Sequence, residues 1–133
     1  MKDLIYYAHS KLIYGTTREE KERAYLEKLF KVICPNRDMG ERGSIDPYLD
    51  MVSQCSAVIC SEYEKHIGRG VFSEVEHALK LGKRVLCIRG EPGEYILHPI
   101  QGIKIIDEND WRYFYGKIIL MKIKAHSRRK ISK

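Results

Sequence analysis

The sequence predicts a single α/β domain of three layers, with a flavodoxin-like or Rossmann-like parallel five-stranded sheet and helices on both faces. Two observations lead to this fold class. Short, continuously apolar runs alternate with segments that carry helix signals, which is typical of strands covered by helices on both faces. The chain of 133 residues also has the length of one domain, and it is too short for two domains with separate cores.

Strand and helix alternate five times along the chain, a pattern that implies right-handed crossovers between parallel strands. The predicted strands are 3–8, 30–34, 57–60, 84–89 and 103–106. The predicted helices begin near Arg18, cover 47–55 and 71–81, and begin again after 107–110.

Three of the helices carry end signals. Thr17 and Glu20 form an S/T-x-x-E capping box, which predicts a helix start near residue 18. Asp46 before Pro47 suits an N-cap with proline in the first turn, where the missing amide costs nothing. Gly82 is a natural stop for the third helix.

The final helix is predicted from Trp111, Tyr115 and Ile118, which recur at i, i+4 and i+7. Ligands of doubly wound sheets bind beyond the carboxyl ends of the strands. The segments in which a site is expected are therefore 7–17, 35–46, 61–74 and 89–99.

The positive charge of the chain is concentrated at its end. Residues 117–133 hold seven of the 24 basic residues and no acidic one, so the other 116 residues carry 17 basic and 18 acidic side chains. We therefore divide the chain into an α/β domain over 1–116 and, over 117–133, the end of the last helix with a basic tail. Such a tail binds nucleic acid by charge, or it is a solvated terminus that aids solubility.

Composition excludes other classes. No apolar run approaches the roughly 20 residues of a membrane helix, and no secretory signal precedes the first strand, so we expect a cytoplasmic protein without membrane contact. The four cysteines form no C-x-x-C pair and have no histidine at zinc spacing. We interpret the four cysteines as buried, reduced thiols, and we expect neither a structural metal nor a cofactor.

Gly68 and Gly70 precede the third helix, where free amides and the helix dipole favour an anion. We take them, with Arg69 and Ser73, as candidate phosphate-binding residues, although a G-x-G pair before a helix is also a common turn. Glu74 lies in the same helix at the edge of its apolar stripe. It is predicted to be half-buried, with the helix dipole favouring its charged form and burial opposing it.

A resemblance joins these residues. The segment GVFSEVEHALKLGKRV over residues 70–85 resembles the G-x-x-x-E-x-x-x-A-L-x-x-G-K-x-V segment of the nucleoside 2-deoxyribosyltransferase-like superfamily. That superfamily includes nucleoside deoxyribosyltransferases and 2′-deoxynucleoside 5′-monophosphate N-glycosidases. The chain is also similar to small uncharacterised members that carry Ala-His and Tyr-Gly-Thr, as at Ala8-His9 and Tyr14-Gly15-Thr16.

The resemblance implies site residues. Glu74 maps onto the catalytic glutamate, which attacks the anomeric carbon of the sugar. Tyr7 maps onto a tyrosine that positions this glutamate or the sugar, with Tyr6 as the alternative after a slip of one residue. The superfamily usually has a further carboxylate that acts on the leaving base. We take Asp50 as the candidate for it, with Asp46 and Glu62 as alternatives.

The sequence departs from the superfamily at two places. Ser56 stands where an aspartate is usual, and His9-Ser10-Lys11 replaces a glycine-rich proline signature. His9 is taken as a candidate phosphate-binding residue, although a loop histidine is commonly just exposed.

The sequence thus predicts hydrolysis or transfer at the N-glycosidic bond of a nucleoside or nucleoside 5′-monophosphate. The alternatives are a non-catalytic nucleotide-binding or sensing domain and, third, nucleic-acid binding through the tail. A homodimer is expected, with contacts from an aromatic cluster at Trp111, Tyr113, Phe114 and Tyr115 or with that cluster in the core.

Overall fold

The computed structural model describes residues 2–62, 66–100 and 104–105. The predicted final helix, the aromatic cluster at 111–115 and the basic tail lie outside these ranges. The elements are β1 (Leu4–Ala8), a 3₁₀ turn (Lys11–Ile13), α1 (Thr17–Leu29), β2 (Lys31–Ile33), α2 (Pro35–Asp38), α3 (Asp46–Gln54), β3 (Ala57–Ser61), β4 (His66–Ile67), α4 (Arg69–Lys80), β5 (Arg84–Arg89), β6 (Ile96–Pro99) and β7 (Lys104–Ile105).

The main sheet has five strands in the order β2-β1-β3-β5-β6, and its first four strands are parallel. This confirms the predicted α/β class. The prediction that all five strands are parallel is wrong, because β6 runs antiparallel to β5. Residues 90–95 join the two strands, far fewer than the dozen or so that a parallel crossover needs. Gly90, at φ +105°, permits the tight return, and a Cβ there would lie 2.6 Å from the Glu94 carbonyl oxygen.

The strand predicted at 103–106 is not part of this sheet. Lys104–Ile105 instead pairs in parallel with His66–Ile67 to form a separate two-stranded sheet. The loop predicted over 61–70 therefore contains a short strand as well.

Helix ends agree with the predictions to within two residues, with one correction at α1. The N-cap is Thr16 rather than Thr17, and its hydroxyl accepts a hydrogen bond from the Glu19 amide at 3.3 Å. Thr16 and Glu19 have the same S/T-x-x-E spacing as the predicted pair, so the motif was displaced by one residue. The segment after Pro35, predicted as a loop, begins with the single-turn helix α2. Gly82, at φ +72°, follows α4 as predicted.

Side chains alternate between the two faces of the sheet, and each face has its own core. On one face, β1, β3 and β5 pack against α3 and α4 through residues such as Tyr6, Val58 and Val75. On the other face, Tyr7 and Leu26 belong to the core that includes α1. Tyr6 and Tyr7 therefore point to opposite sides of the sheet.

All four cysteines are buried and free of disulfides, as predicted. Among the helices that the structure describes, none combines the length and the apolar character that crossing a bilayer requires.

Candidate functional site

The candidate site is centred on Glu74, in the second turn of α4. Its side chain turns toward the sheet rather than toward solvent, and the residue is only 7% exposed, so it is more buried than its position at the stripe edge predicted. The hydroxyl of Tyr6, at the middle of β1, donates a hydrogen bond to Glu74 Oε2. The structure thus pairs a buried carboxylate with a buried phenol between helix and sheet.

The surroundings of Glu74 move its titration to neutral pH. Burial raises the pKa of Glu74 to about 7, because a charged carboxylate loses hydration there. The hydrogen bond from Tyr6 and the charge of His9 both favour the ionised form and limit this rise. Burial and the neighbouring carboxylate hold the pKa of Tyr6 far above its usual value, so Tyr6 stays a proton donor.

Two further tyrosines belong to the same surroundings. Burial, followed by the charge of Glu74, raises the pKa of Tyr14 to about 12, and Tyr48 contributes to the same shift. Both residues are only partly buried. The Tyr48 hydroxyl donates to the Gly40 carbonyl oxygen at 2.6 Å, which anchors it on the loop before α3. Sequence reasoning missed Tyr14 and Tyr48 as members of the site. Tyr14 nevertheless lies in the expected segment 7–17, and Gly40, the partner of Tyr48, lies in the expected segment 35–46.

His9 is not available to a ligand, contrary to the prediction. Its side chain has no exposed surface. Nδ1 lies 2.9 Å from the Tyr7 carbonyl oxygen, and Nε2 lies 2.7 Å from Glu19 Oε2. Because both partners are acceptors, both ring nitrogens carry protons. Burial alone would lower the pKa of His9, but the contacts with Cys34 and Glu19 outweigh it and raise the pKa to about 9.

Glu19 completes a closed network around His9 that sequence reasoning missed. Its carboxylate also accepts hydrogen bonds from the Gly15 amide at 3.1 Å and from Asn36 Nδ2 at 3.0 Å. The His9 ring edge meets Tyr14, with ring centroids 5.0 Å apart. The network therefore fixes the loop after β1, and with it the position of Tyr14.

Tyr7 does not contact Glu74, so the predicted positioning role passes to the alternative, Tyr6. The Tyr7 hydroxyl donates to Glu22 Oε1 at 2.7 Å on the opposite face of the sheet. Arg18 Nε donates to Glu22 Oε2 at 3.2 Å. The two tyrosines thus each face a buried glutamate, and strand parity decides which glutamate each one meets.

The predicted anion site lies at the N-terminus of α4. Gly68 is the N-cap, and Arg69 and Gly70 are exposed in the first turn. The hydroxyl of Ser73 donates back to the Arg69 carbonyl oxygen at 3.0 Å. Gly68 has an ordinary φ of −73°, and a Cβ on Gly68 or Gly70 would meet nothing within 4 Å. Neither conformation nor packing therefore requires these glycines.

Among the described residues, no hydrogen bond joins Glu74 to any of the three candidates for the further carboxylate. Asp50, the adopted candidate, is exposed on α3, and Asp46 is exposed at the start of that helix. Glu62 is buried directly after β3, where Arg89 Nε donates to its Oε1.

Two clusters have the composition of metal sites. His9, Glu19 and Cys34 form one, and Glu62, Cys87 and His98 form the other; within each, the donor atoms lie within 4.8 Å of one another. In the first cluster the donor atoms are already engaged: those of His9 and Glu19 in the hydrogen bonds described above, and Cys34 Sγ in one that it donates to Asn36 Oδ1 at 3.1 Å.

The fold and the site define an α/β domain with a buried glutamate between sheet and helix, whose pKa is raised to about 7. No protein-family model matches the chain, and a search of curated proteins found no match. The resemblance to the nucleoside 2-deoxyribosyltransferase-like superfamily stays a prediction.

Proposed function

We propose that this protein hydrolyses or transfers the N-glycosidic bond of a nucleoside or nucleoside 5′-monophosphate, with Glu74 as the nucleophile. The observation that carries the proposal is the hydrogen-bonded pair of Tyr6 and Glu74. The hydroxyl of Tyr6 holds Oε2 and stabilises the charged carboxylate, which leaves Oε1 to attack the sugar. With a pKa of about 7, Glu74 is ionised in a large fraction of molecules at neutral pH.

The chemistry follows the scheme of retaining glycosidases. A carboxylate oxygen of Glu74 bonds to the anomeric carbon as the bond from that carbon to the base nitrogen breaks. The electron pair leaves with the base, which takes a proton. Water then attacks the anomeric carbon and loses a proton, the ester bond breaks, and the carboxylate is restored. In a transfer reaction, a second base takes the place of water.

The start of α4 suits the phosphate of a 5′-monophosphate. The free amides of its first turn and the positive end of the helix dipole attract an anion. Open space at Gly68 and Gly70 allows a ligand to approach the backbone closely, and exposed Arg69 adds a positive charge. Glu74 lies one to two turns further along the same helix, so one ligand can meet both features.

The test is release of free base from a panel of ribo- and deoxyribonucleosides and their 5′-monophosphates. We expect E74Q to lower the rate by about a thousandfold or more, as loss of a covalent nucleophile does. The matched control is E76Q on the exposed side of α4, where the Glu76 carboxylate pairs with Lys80. E76Q should keep the wild-type rate.

A second candidate is a nucleotide-binding or sensing domain without turnover. The position of Asp50 favours it, because that carboxylate, adopted to protonate a leaving base, is exposed on α3 while Glu74 is buried. Binding of a nucleotide to the wild-type protein without release of base, weakened by G70V, would select this candidate. Absence of both release and binding would refute both.

A further inference from the structure

The second cluster of donor atoms is assembled by the register of three strands. Cys60 pairs with Cys87 across β3 and β5, and Cys87 pairs with His98 across β5 and β6. Paired residues point to the same face of a sheet. Glu62 lies two residues beyond Cys60 and therefore shares that face. Two thiols, an imidazole and a carboxylate thus meet on one face of the sheet.

Three of the donor atoms are close enough for one ion, and the fourth lies beside one of them. Those of Glu62, Cys87 and His98 lie within 4.8 Å of one another, and Cys60 Sγ is 3.0 Å from Cys87 Sγ. Ligands of a tetrahedral zinc ion lie about 3.6 Å from one another. The atoms of Glu62, Cys87 and His98 therefore suit one ion, whereas Cys60 Sγ, outside that group, would have to move toward Glu62 and His98 to become the fourth ligand.

Two of these atoms lack a partner. Among the described residues, Glu62 Oε2 and His98 Nε2 are the buried side-chain polar atoms without a hydrogen bond. Leaving such atoms unsatisfied is unfavourable, so they point to an absent partner. This separates the cluster from that of His9, Glu19 and Cys34, whose atoms are engaged.

The opposite ends of the same side chains are already held. His98 Nδ1 lies 2.9 Å from the Pro99 carbonyl oxygen, and as the donor it leaves Nε2 as the nitrogen with a free lone pair. Arg89 binds the other oxygen of Glu62. Metal-binding histidines and carboxylates are commonly oriented by such outer contacts.

We propose that Cys60, Cys87, His98 and Glu62 bind one zinc ion, through both Sγ atoms, Nε2 and Oε2. This donor set suits Zn²⁺. Two thiolates and a carboxylate carry three negative charges, which the ion and the neighbouring guanidinium of Arg89 balance. The thiols must lose their protons on binding, so binding releases protons and strengthens as pH rises.

The role of the ion is structural. Four protein ligands fill a tetrahedral ion and leave no open position for substrate. The ligands join edge strand β6 to β5 and β3, so the ion fastens the antiparallel hairpin to the parallel sheet. The site uses other residues than Glu74 and Tyr6, so it does not depend on the proposed function.

The experiment is a zinc titration of the full chain, reduced and stripped with a chelator, against a competing chromophoric chelator. We expect one ion per chain, with affinity at least tenfold weaker in H98Q and in C87S. Cobalt should give a thiolate absorption band that C87S abolishes. The controls are H77Q, on α4 where the half-buried His77 ring contacts the Ser53 hydroxyl, and C34S, in the other cluster; both should bind as wild type.

Circular dichroism of each variant establishes its fold, and His98, being partly exposed on an edge strand, tests the proposal if C87S does not fold. Zinc binding that is absent, that survives H98Q unchanged, or that C34S abolishes would overturn the proposal. So would a stable disulfide between Cys60 and Cys87 in protein purified without oxidant, found by counting free thiols. E74Q should bind zinc normally.

Discussion

The burial of Glu74 predicts that this one carboxylate destabilises the folded protein above neutral pH. Its pKa rises from an ordinary value of 4.5 to about 7. The stability associated with its neutral form is fully present below 4.5 and is lost as pH rises through about 7, because the folded state binds the proton more tightly. The substitution E74Q removes the titration while keeping an oxygen that accepts the hydrogen bond of Tyr6.

The magnitude follows from the two pKa values. At about 1.4 kcal/mol for each pKa unit, the full effect is about 3 kcal/mol. Roughly 2.5 kcal/mol of it falls between about pH 5 and about pH 8.5. His9, whose pKa is raised to about 9, also loses stability as pH rises, in wild type and in E74Q alike apart from its charge interaction with Glu74. The difference between the two proteins therefore reports Glu74 together with that interaction.

The assay is urea unfolding of wild type, E74Q and E76Q at several pH values. We expect the unfolding free energy of E74Q to rise relative to that of wild type by about 2 to 3 kcal/mol across this pH range, with the steepest change between the two pKa values, at about pH 6. E76Q, which alters an exposed carboxylate on the same helix, should follow wild type throughout. A difference between E74Q and wild type that stays constant with pH would refute the assigned burial of Glu74.

Three further outcomes are expected. Base release should rise with pH through an apparent pKa near 7, measured as kcat/KM, because only the ionised Glu74 attacks; a profile flat from about pH 5 to 9 would contradict this. Y6F should raise the apparent pKa of base release, because the Glu74 carboxylate loses its hydrogen bond. Y7F, on the opposite face of the sheet, should leave that pKa unchanged. Equal apparent pKa values in the two variants would exclude the pairing of Tyr6 with Glu74. G70A should leave the unfolding free energy in urea unchanged or raise it by about 0.5–1 kcal/mol. It should also raise KM for nucleoside monophosphates more than KM for nucleosides. Equal increases in the two KM values would contradict phosphate binding at the start of α4.

Local patterns predicted most of the elements of the fold. Apolar runs located the four parallel strands, and helix-end residues such as Pro47 and Gly82 located α3 and α4 closely. The antiparallel strand was missed because the segment after Gly90 contains turn residues and two prolines, and its pairing depends on a tight return that no periodicity reports.

The site was predicted in part. The apolar stripe of α4 placed Glu74 near the sheet but predicted only half-burial, whereas Glu74 is buried and accepts a hydrogen bond from Tyr6, which is distant in sequence. His9 was taken as a candidate phosphate-binding residue, with an exposed loop histidine as the alternative, because the sequence does not reveal its partner. Its partner is Glu19, which α1 brings to the sheet. Contacts between non-consecutive elements were the part that the sequence did not reveal.

Strand register explains why Tyr6, and not the adjacent Tyr7, contacts Glu74. Moving β1 by one position would turn Tyr7 toward Glu74 and Tyr6 toward Glu22, since successive side chains face opposite sides. The parallel pairing of β1 with β3 sets Tyr6 opposite Val58, whose face packs against α4. A separate pairing, of β3 with β5, sets Cys60 opposite Cys87, so β3 takes part in both the buried acid and the proposed zinc site. A substitution that shifted β3 against both of its neighbours would therefore be expected to impair both sites together, whereas E74Q and H98Q should each impair only one.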